Sequence, residues 1–259
     1  MKYFVVDAFA EKVFEGNPAG VCVMNDWISD ELMQNIAIEN NLSETAFAVK
    51  EASQYRLRWF TPGGEINLCG HATLATAFII MNFYEQQLDT VHFHTLSGGL
   101  TVNKKDDLYE LDFPAVSSEE FPLTEQMISA LGVVPKESYL SRDLVFVLES
   151  EEDVKNVTPD FAKLEKLPEG LGVCVTAQGS EFDFVSRGFF PKLKINEDPV
   201  TGSLHCNLIP FWADRLGKKE LVARQLSSRG GTLYCKLEDT RVRIAGSAVL
   251  YSVAELKID

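Results

Sequence analysis

The sequence predicts an α+β protein of two pseudo-symmetric lobes, each a mixed, barrel-like sheet wrapped around one central buried helix. The first observation behind this is a faint internal repeat. Arg58-Trp59-Phe60-Thr61-Pro62 is followed by Cys69-Gly70-His71-Ala72-Thr73, and Arg187-Gly188-Phe189-Phe190-Pro191 is followed by Thr201-Gly202-Ser203-Leu204-His205. The second is that an uncharged run follows each copy, apolar around almost its whole circumference, as a helix enclosed by protein requires. The third is that most of the remaining apolar residues fall in short strand-like runs.

Phe4-Val5-Val6 and Gly20–Met24 read as strands, with a turn at Gly16-Asn17-Pro18 just before the second. Ser29 suits a helix N-cap, because Asp30 and Glu31 follow it and favour the positive end of a helix. Leu32, Ile36 and Ile38 give that helix its apolar face, and it should end near Asn40-Asn41. Thr45–Val49 and Tyr55–Phe60 read as strands; the second alternates Arg56 and Arg58 with Leu57 and Trp59. Ala72–Phe83 is the first buried helix. Leu204–Ala213 is the second, and Pro210 should kink it or limit its hydrogen bonding. Further strands are expected at Val91–His94, Leu108–Phe113, Leu144–Leu148, Gly172–Thr176, Phe182–Val185, Val242–Ile244 and Val249–Val253. Hairpin turns are expected at Gly98-Gly99, at Lys104–Asp107 and at Ser227–Gly231. Polar Ser117-Ser118-Glu119-Glu120, bracketed by prolines, marks a boundary near Pro114–Pro122. The expected lobes are therefore 1–115 and 116–259, with the last strand able to return to the first lobe.

Composition narrows the function. The chain has 259 residues and 46% hydrophobic residues, enough for a sizeable core. Its formal charge of −14 argues against nucleic acid and anionic membranes as partners. It leaves room for a small anion at a site of locally opposite sign. The chain opens directly on a strand pattern with no signal-peptide signature, and the Gly70–Tyr84 run is too short to span a bilayer. Five scattered cysteines lack the spacing of a disulfide framework or a zinc site, which points to a reduced, cytoplasmic protein.

Chemistry concentrates in three places. Gly70 before an uncharged helix lets backbone N–H groups approach an anion, and His71 there can donate a hydrogen bond or titrate near neutrality. Alone, Cys69-Gly70-His71 is more simply a glycine turn with a capping histidine. In Glu197–Ser203, Ser203 can cap a helix or bond a ligand, and Asp198 can orient a neighbour or serve as a base. Alone, it is an ordinary Asp-Pro turn before a Ser-capped helix. The repeat favours the functional reading of both, since two such units facing each other would set two helix N-termini around one cleft. Glu44, flanked by Leu42, Ala46 and Phe47, is a carboxylate in apolar surroundings that could act as both acid and base, or a surface glutamate at a strand start. Cys69, His71, His205 and Cys206 do not form a matching ligand set, so no metal is expected.

Four blocks, Asn17–Val21, Asn41–Phe47, Arg58–Pro62 with Gly70–Thr73, and Glu197–Ser203 with His205-Cys206, resemble the signature blocks of the phenazine-biosynthesis PhzF-like family, in order along the whole chain. The resemblance implies the diaminopimelate epimerase-like fold. It also implies a cofactor-independent isomerase, a small carboxylate-bearing substrate and a homodimer. Glu44 would shuttle the proton, assisted by His71, Asp198 and Ser203. Gly70, Ala72, Thr73, Thr201 and Gly202 would contact the substrate. Two-thiol racemases and epimerases of the same fold are the rival, but Thr201 stands where the second thiol would be and cannot form a thiolate. A non-enzymatic ligand- or protein-binding module is the other alternative.

Overall fold

The structure, a computed structural model, describes residues 1–258. The chain forms two compact units: Met1–Asp112 with the segment from Ala245 onward, and Phe113–Ile244.

Unit 1 is built from β1 (Lys2–Ala8), β2 (Asn17–Met24), α1 (Asp30–Asn40), β3 (Glu44–Glu51), β4 (Gln54–Thr61), β5 (Gly64–Ile66), α2 (Gly70–Ile79), β6 (Thr90–Thr95), β7 (Gly98–Lys105) and most of β8 (Leu108–Pro114). β1/β2 pair antiparallel, β2/β3 parallel, β3/β4 antiparallel, β4/β6 parallel and β6/β7 antiparallel. α1 is the crossover for the first parallel pair; β5 and α2 lie within the second.

Unit 2 contains β9 (Glu119–Glu120), α3 (Glu125–Leu131), β10 (Glu137–Leu140), β11 (Leu144–Val147), α4 (Glu151–Asn156), α5 (Phe161–Leu164), β12 (Val173–Gln178), β13 (Phe184–Phe190), β14 (Ile195–Asp198), α6 (Gly202–Leu216), β15 (Glu220–Gln225), β16 (Gly231–Glu238) and most of β17 (Arg241–Gly246). It repeats the pattern of unit 1. β10/β11 are antiparallel, β11/β12 parallel, β12/β13 antiparallel, β13/β15 parallel and β15/β16 antiparallel. α4 and α5 take the place of α1, and β14 with α6 takes the place of β5 with α2. The final strand, β18 (Ala248–Glu255), pairs with β1, so this segment is part of unit 1.

Strand alternation assigns each face of the sheet. On β3, Phe47 and Val49 join Met33, Ile36 and Ala37 of α1 in one cluster. Glu44, Ala46 and Ala48 therefore point to the opposite face, where α2 packs against β1, β2 and β3. On β12, Val173, Val175 and Ala177 cluster with residues of α3, α4 and α5. The other face carries Thr176, whose hydroxyl accepts a hydrogen bond from Trp212 Nε1 of α6 at 2.9 Å. Each unit thus has an outer helical layer and an inner helix on opposite faces of one sheet.

α2 is buried at Ala72 through Ala77 and at Ile79, so it touches protein on every side. Its threonines are tolerated there because their hydroxyls bond back to helix carbonyls: Thr73 Oγ1 to Cys69 O at 2.5 Å and Thr76 Oγ1 to Ala72 O at 2.7 Å.

Several expectations from the sequence need correcting. Ile38 is 50% exposed; α1 buries Ile36 as expected, together with Met33 and Ala37. The α-helix ends at Ile79 and continues as a π turn over Ile80–Tyr84, leaving Phe83 and Tyr84 exposed. Asn17 and Pro18 lie inside β2, not in the turn. Gly98 and Gly99 start β7, and the hairpin turn is Leu96-Ser97, since Thr95 pairs with Gly98. α6 spans Gly202–Leu216, longer than the expected Leu204–Ala213, with Pro210 inside it. Three short helices went unread although each carries a capping side chain: Thr124 for α3, Ser150 for α4 and Asp160 for α5.

Candidate active site

Glu44 opens β3 on the face that carries α2, and His71 is the second residue of α2. Alternation on the strand and position on the helix bring them together: His71 Nε2 lies 3.2 Å from Glu44 Oε2. Glu44 is 9% and His71 7% exposed, and neither of these two atoms has a well-aligned hydrogen-bond partner. A buried carboxylate oxygen and imidazole nitrogen left without aligned partners are costly unless a ligand completes them.

The third member is Cys69, which local sequence did not connect to this pair. Its Sγ is 3.5 Å from His71 Nδ1, on the side of the ring away from Nε2. Cys69, His71 and Glu44 therefore form a chain through the imidazole. A single ion can take only one ring nitrogen, whereas Cys69 addresses Nδ1 and Glu44 addresses Nε2. The imidazole therefore stands between the two groups, one at each ring nitrogen. Burial works against charge on His71, but the Cys69 sulfur, as acceptor for Nδ1–H, and the Glu44 carboxylate outweigh it and hold the imidazole protonated well above its ordinary range. Burial, then the Glu44 charge, push the Cys69 thiol up and keep it neutral.

The start of α2 supplies the backbone. Thr73 N–H closes the first helical bond to Cys69 O at 3.2 Å, and its hydroxyl reaches the same carbonyl. Both donors of Thr73 are thus spent, so it cannot donate to a ligand. Gly70, His71 and Ala72 are the N–H groups that precede the first helical bond.

In unit 2 the predicted residues are arranged differently. Thr201, not Ser203, is the N-cap residue of α6. Its hydroxyl donates to Asp198 Oδ2 at 2.6 Å and its N–H to Gln225 Oε1 at 2.9 Å. Gln225 Nε2 donates to Asp198 O at 2.8 Å and to Thr201 Oγ1 at 3.2 Å. Asp198 and Thr201 are therefore joined, with Gln225 as the buried clasp. Ser203 sits one turn-step further and accepts from Arg142 Nη2 at 2.9 Å. Arg142 also holds Asp143 Oδ2, through Nε at 2.9 Å, while Asp143 Oδ1 accepts from Gly172 N at 2.9 Å. A Cβ at Gly202 would meet nothing within 4 Å, so this helix start is open. Sequence reasoning missed Arg142, Asp143 and Gln225. Arg142 and Asp143 lie in the bend between β10 and β11 and Gln225 ends β15, and no local spacing links them to α6.

Residues 6–254 match the family described as phenazine biosynthesis-like protein. The chain belongs to this family. It is 49% identical to an uncharacterized isomerase of Pseudomonas aeruginosa, over 100% of this chain and 99% of that one. It superposes on the crystal structure of a phenazine biosynthesis protein of the PhzF family from Enterococcus faecalis with a TM-score of 0.98 at 55% identity, covering 99% of both chains. A hydroxyproline epimerase from Agrobacterium vitis shares the fold alone, with a TM-score of 0.62 at 11% identity over 98% of this chain and 91% of that one. Membership in the PhzF family makes the protein an enzyme of isomerase type, with the mixed-sheet fold that the family shares with such epimerases. Among the described residues no helix is long and apolar enough to cross a membrane.

Proposed function

We propose that the protein is a cofactor-independent isomerase that moves a proton between two carbons of a small carboxylate-bearing substrate, with Glu44 as the single acid/base. The observation that carries this reading is the buried Glu44–His71 contact at the start of α2, whose two facing atoms make no well-aligned hydrogen bond. Glu44 takes a C–H proton, the C–H electron pair passes into the adjacent π system, and the proton returns at another carbon. His71, held as imidazolium, stabilises the charge that develops, and the N–H groups of Gly70 and Ala72 add donors in a dry environment. By the resemblance, Asp198 and Ser203 assist, and Thr201 and Gly202 contact the substrate. In unit 2 that assignment is supported by the open start of α6 and by the Asp198–Thr201 link.

We propose a cytoplasmic setting as well, supported by five cysteines that are all free and buried, and a homodimer by the family resemblance. An epimerase using a thiol on each side is less favoured, because Thr201 is engaged with Asp198 and Gln225 and has no acidic S–H.

The test is solvent exchange. A small acid co-purified with the protein is identified by mass spectrometry and returned to the enzyme in D₂O. Wild type should place deuterium at a substrate carbon, and folded Glu44→Gln should not. Full exchange by that variant would remove Glu44 from the mechanism.

A further inference from the structure

Cys69 is the nucleophilic group at this site that the proposed reaction does not use. It occupies the N-cap position of α2, where Ser, Thr, Asp or Asn would normally cap. Its side chain makes no well-formed capping bond; the Ala72 N–H faces the sulfur, but the thiol turns to the histidine two residues on. The residue at the same place in unit 2, Thr201, turns instead to Asp198. Cys69 is 7% exposed, so its sulfur is largely shut off from solvent. The titratable groups facing His71 are Glu44 from β3 and Cys69 from the start of its own helix.

We propose that Cys69 is a positioning residue that fixes the ring of His71: by engaging Nδ1, the thiol leaves Nε2–H as the group presented to Glu44. The thiol suits this task in both charge states of the ring. With His71 protonated, Nδ1–H donates to sulfur. With His71 neutral, S–H donates to Nδ1 and the remaining ring proton stays on Nε2. Glu44 therefore meets an N–H donor in either state, and a proton gained or lost by the carboxylate does not flip the ring. Alanine can do neither, whereas serine can do both. The catalytic meaning of this role rests on the proposed function, but the role itself can be read without substrate.

The experiment is ¹⁵N NMR of the ligand-free full chain with labelled histidine. The chain has only four histidines, so His71 can be assigned by substitution. Wild type should titrate above the ordinary ~6.5 and, once neutral, show the Nε2–H tautomer. Cys69→Ala should move the titration down toward that ordinary value and populate the Nδ1–H tautomer, while the His205 signals in unit 2 stay in place. Cys69→Ser should keep the Nε2–H tautomer. Ring-nitrogen shifts of His71 unchanged in Cys69→Ala would overturn the proposal. Should the alanine variant not fold, an Nδ1–H tautomer in Cys69→Ser would overturn it equally. Because these shifts are read without substrate, they stand or fall separately from the Glu44→Gln exchange result.

Discussion

The two units share a strand plan and differ at the atoms that do chemistry. In both, an arginine of the central strand holds a glutamate through two hydrogen bonds and lies over a phenylalanine two residues on. Arg58 does so with Glu65 and Phe60, and Arg187 with Glu197 and Phe189. In both, the fourth residue of the inner helix bonds back to the N-cap carbonyl: Thr73 to Cys69 O, and His205 Nδ1 to Thr201 O at 2.8 Å. Register then shows where the copies part. Phe47 pairs with Arg58, and Val175 pairs with Arg187. Counting back three residues, Glu44 corresponds to Gly172. Unit 2 has no carboxylate there, and it has no space for one, since even a Cβ would lie 2.2 Å from the Phe190 ring. Of the acidic groups near the start of α6, Asp143, just before β11, is spent on Arg142 and Gly172, and Asp198 holds the Thr201 hydroxyl. A repeated scaffold thus supplies two helix starts, and among the described residues the start of α2 is the one that faces a buried carboxylate–imidazole pair.

The largest effect that would break this comparison is catalytic. Glu44→Gln should lower deuterium exchange by about 10²–10⁴-fold, the usual worth of a positioned acid/base group. Retained exchange would mean that the asymmetry at Glu44 is not what matters.

Next comes a contrast of charge between the two histidines. His71 is held protonated, so its contribution to stability is complete below the ordinary histidine range and fades as pH rises through its raised value. His205 is fully buried beside Phe184, and burial pushes it down to about 4 despite the bond to Thr201 O. Its sign is opposite. The unfolded chain takes up the proton first, so stability is complete above ~6.5 and is lost as pH falls toward 4, by roughly 3 kcal/mol. Denaturant unfolding at pH 7 and pH 4 should show this loss in wild type and a smaller one in His205→Gln. An equal loss in both would assign the acid sensitivity elsewhere.

A smaller effect concerns Gly172, the position that matches Glu44 by register. Gly172→Ala should destabilise by about 1–3 kcal/mol through overpacking against Phe190. A neutral result in denaturant unfolding would mean that the Phe190 ring yields, and that unit 2 could have held a side chain there. The smallest is Thr73→Val, which removes a hydroxyl from a carbonyl that keeps its helical partner. About 1 kcal/mol in thermal unfolding is expected, with exchange activity kept. A large loss of exchange with unchanged stability would show that Thr73 serves the ligand after all.

Much of the scaffold was legible in the chain because its causes are local. Ser29 caps α1, Asn41 ends it in the left-handed conformation, and the uncharged runs are the inner helices. The repeat gave the matching starts of α2 and α6. Where local reading failed, a neighbour decided. Met33 and not Ile38 is buried because the sheet lies on that side of α1. Ser203 looked like a cap, but Arg142 claims it and Thr201 holds the cap position. The clasp of Gln225 on Asp198 and Thr201 joins residues up to 27 positions apart, and no spacing rule announces it.

By itself, then, the sequence determined the repeat, the two buried helices and the presence of Glu44 and His71 as candidate groups. Hydrophobic period, capping chemistry and glycine placement act over a few residues and are written there. Only the tertiary structure decided that Glu44 faces inward, that His71 lies between it and Cys69, and that Gly172 stands where a second carboxylate would be. Those facts depend on strand register and on which face of the sheet each helix covers, and both are fixed by contacts between segments far apart in the chain.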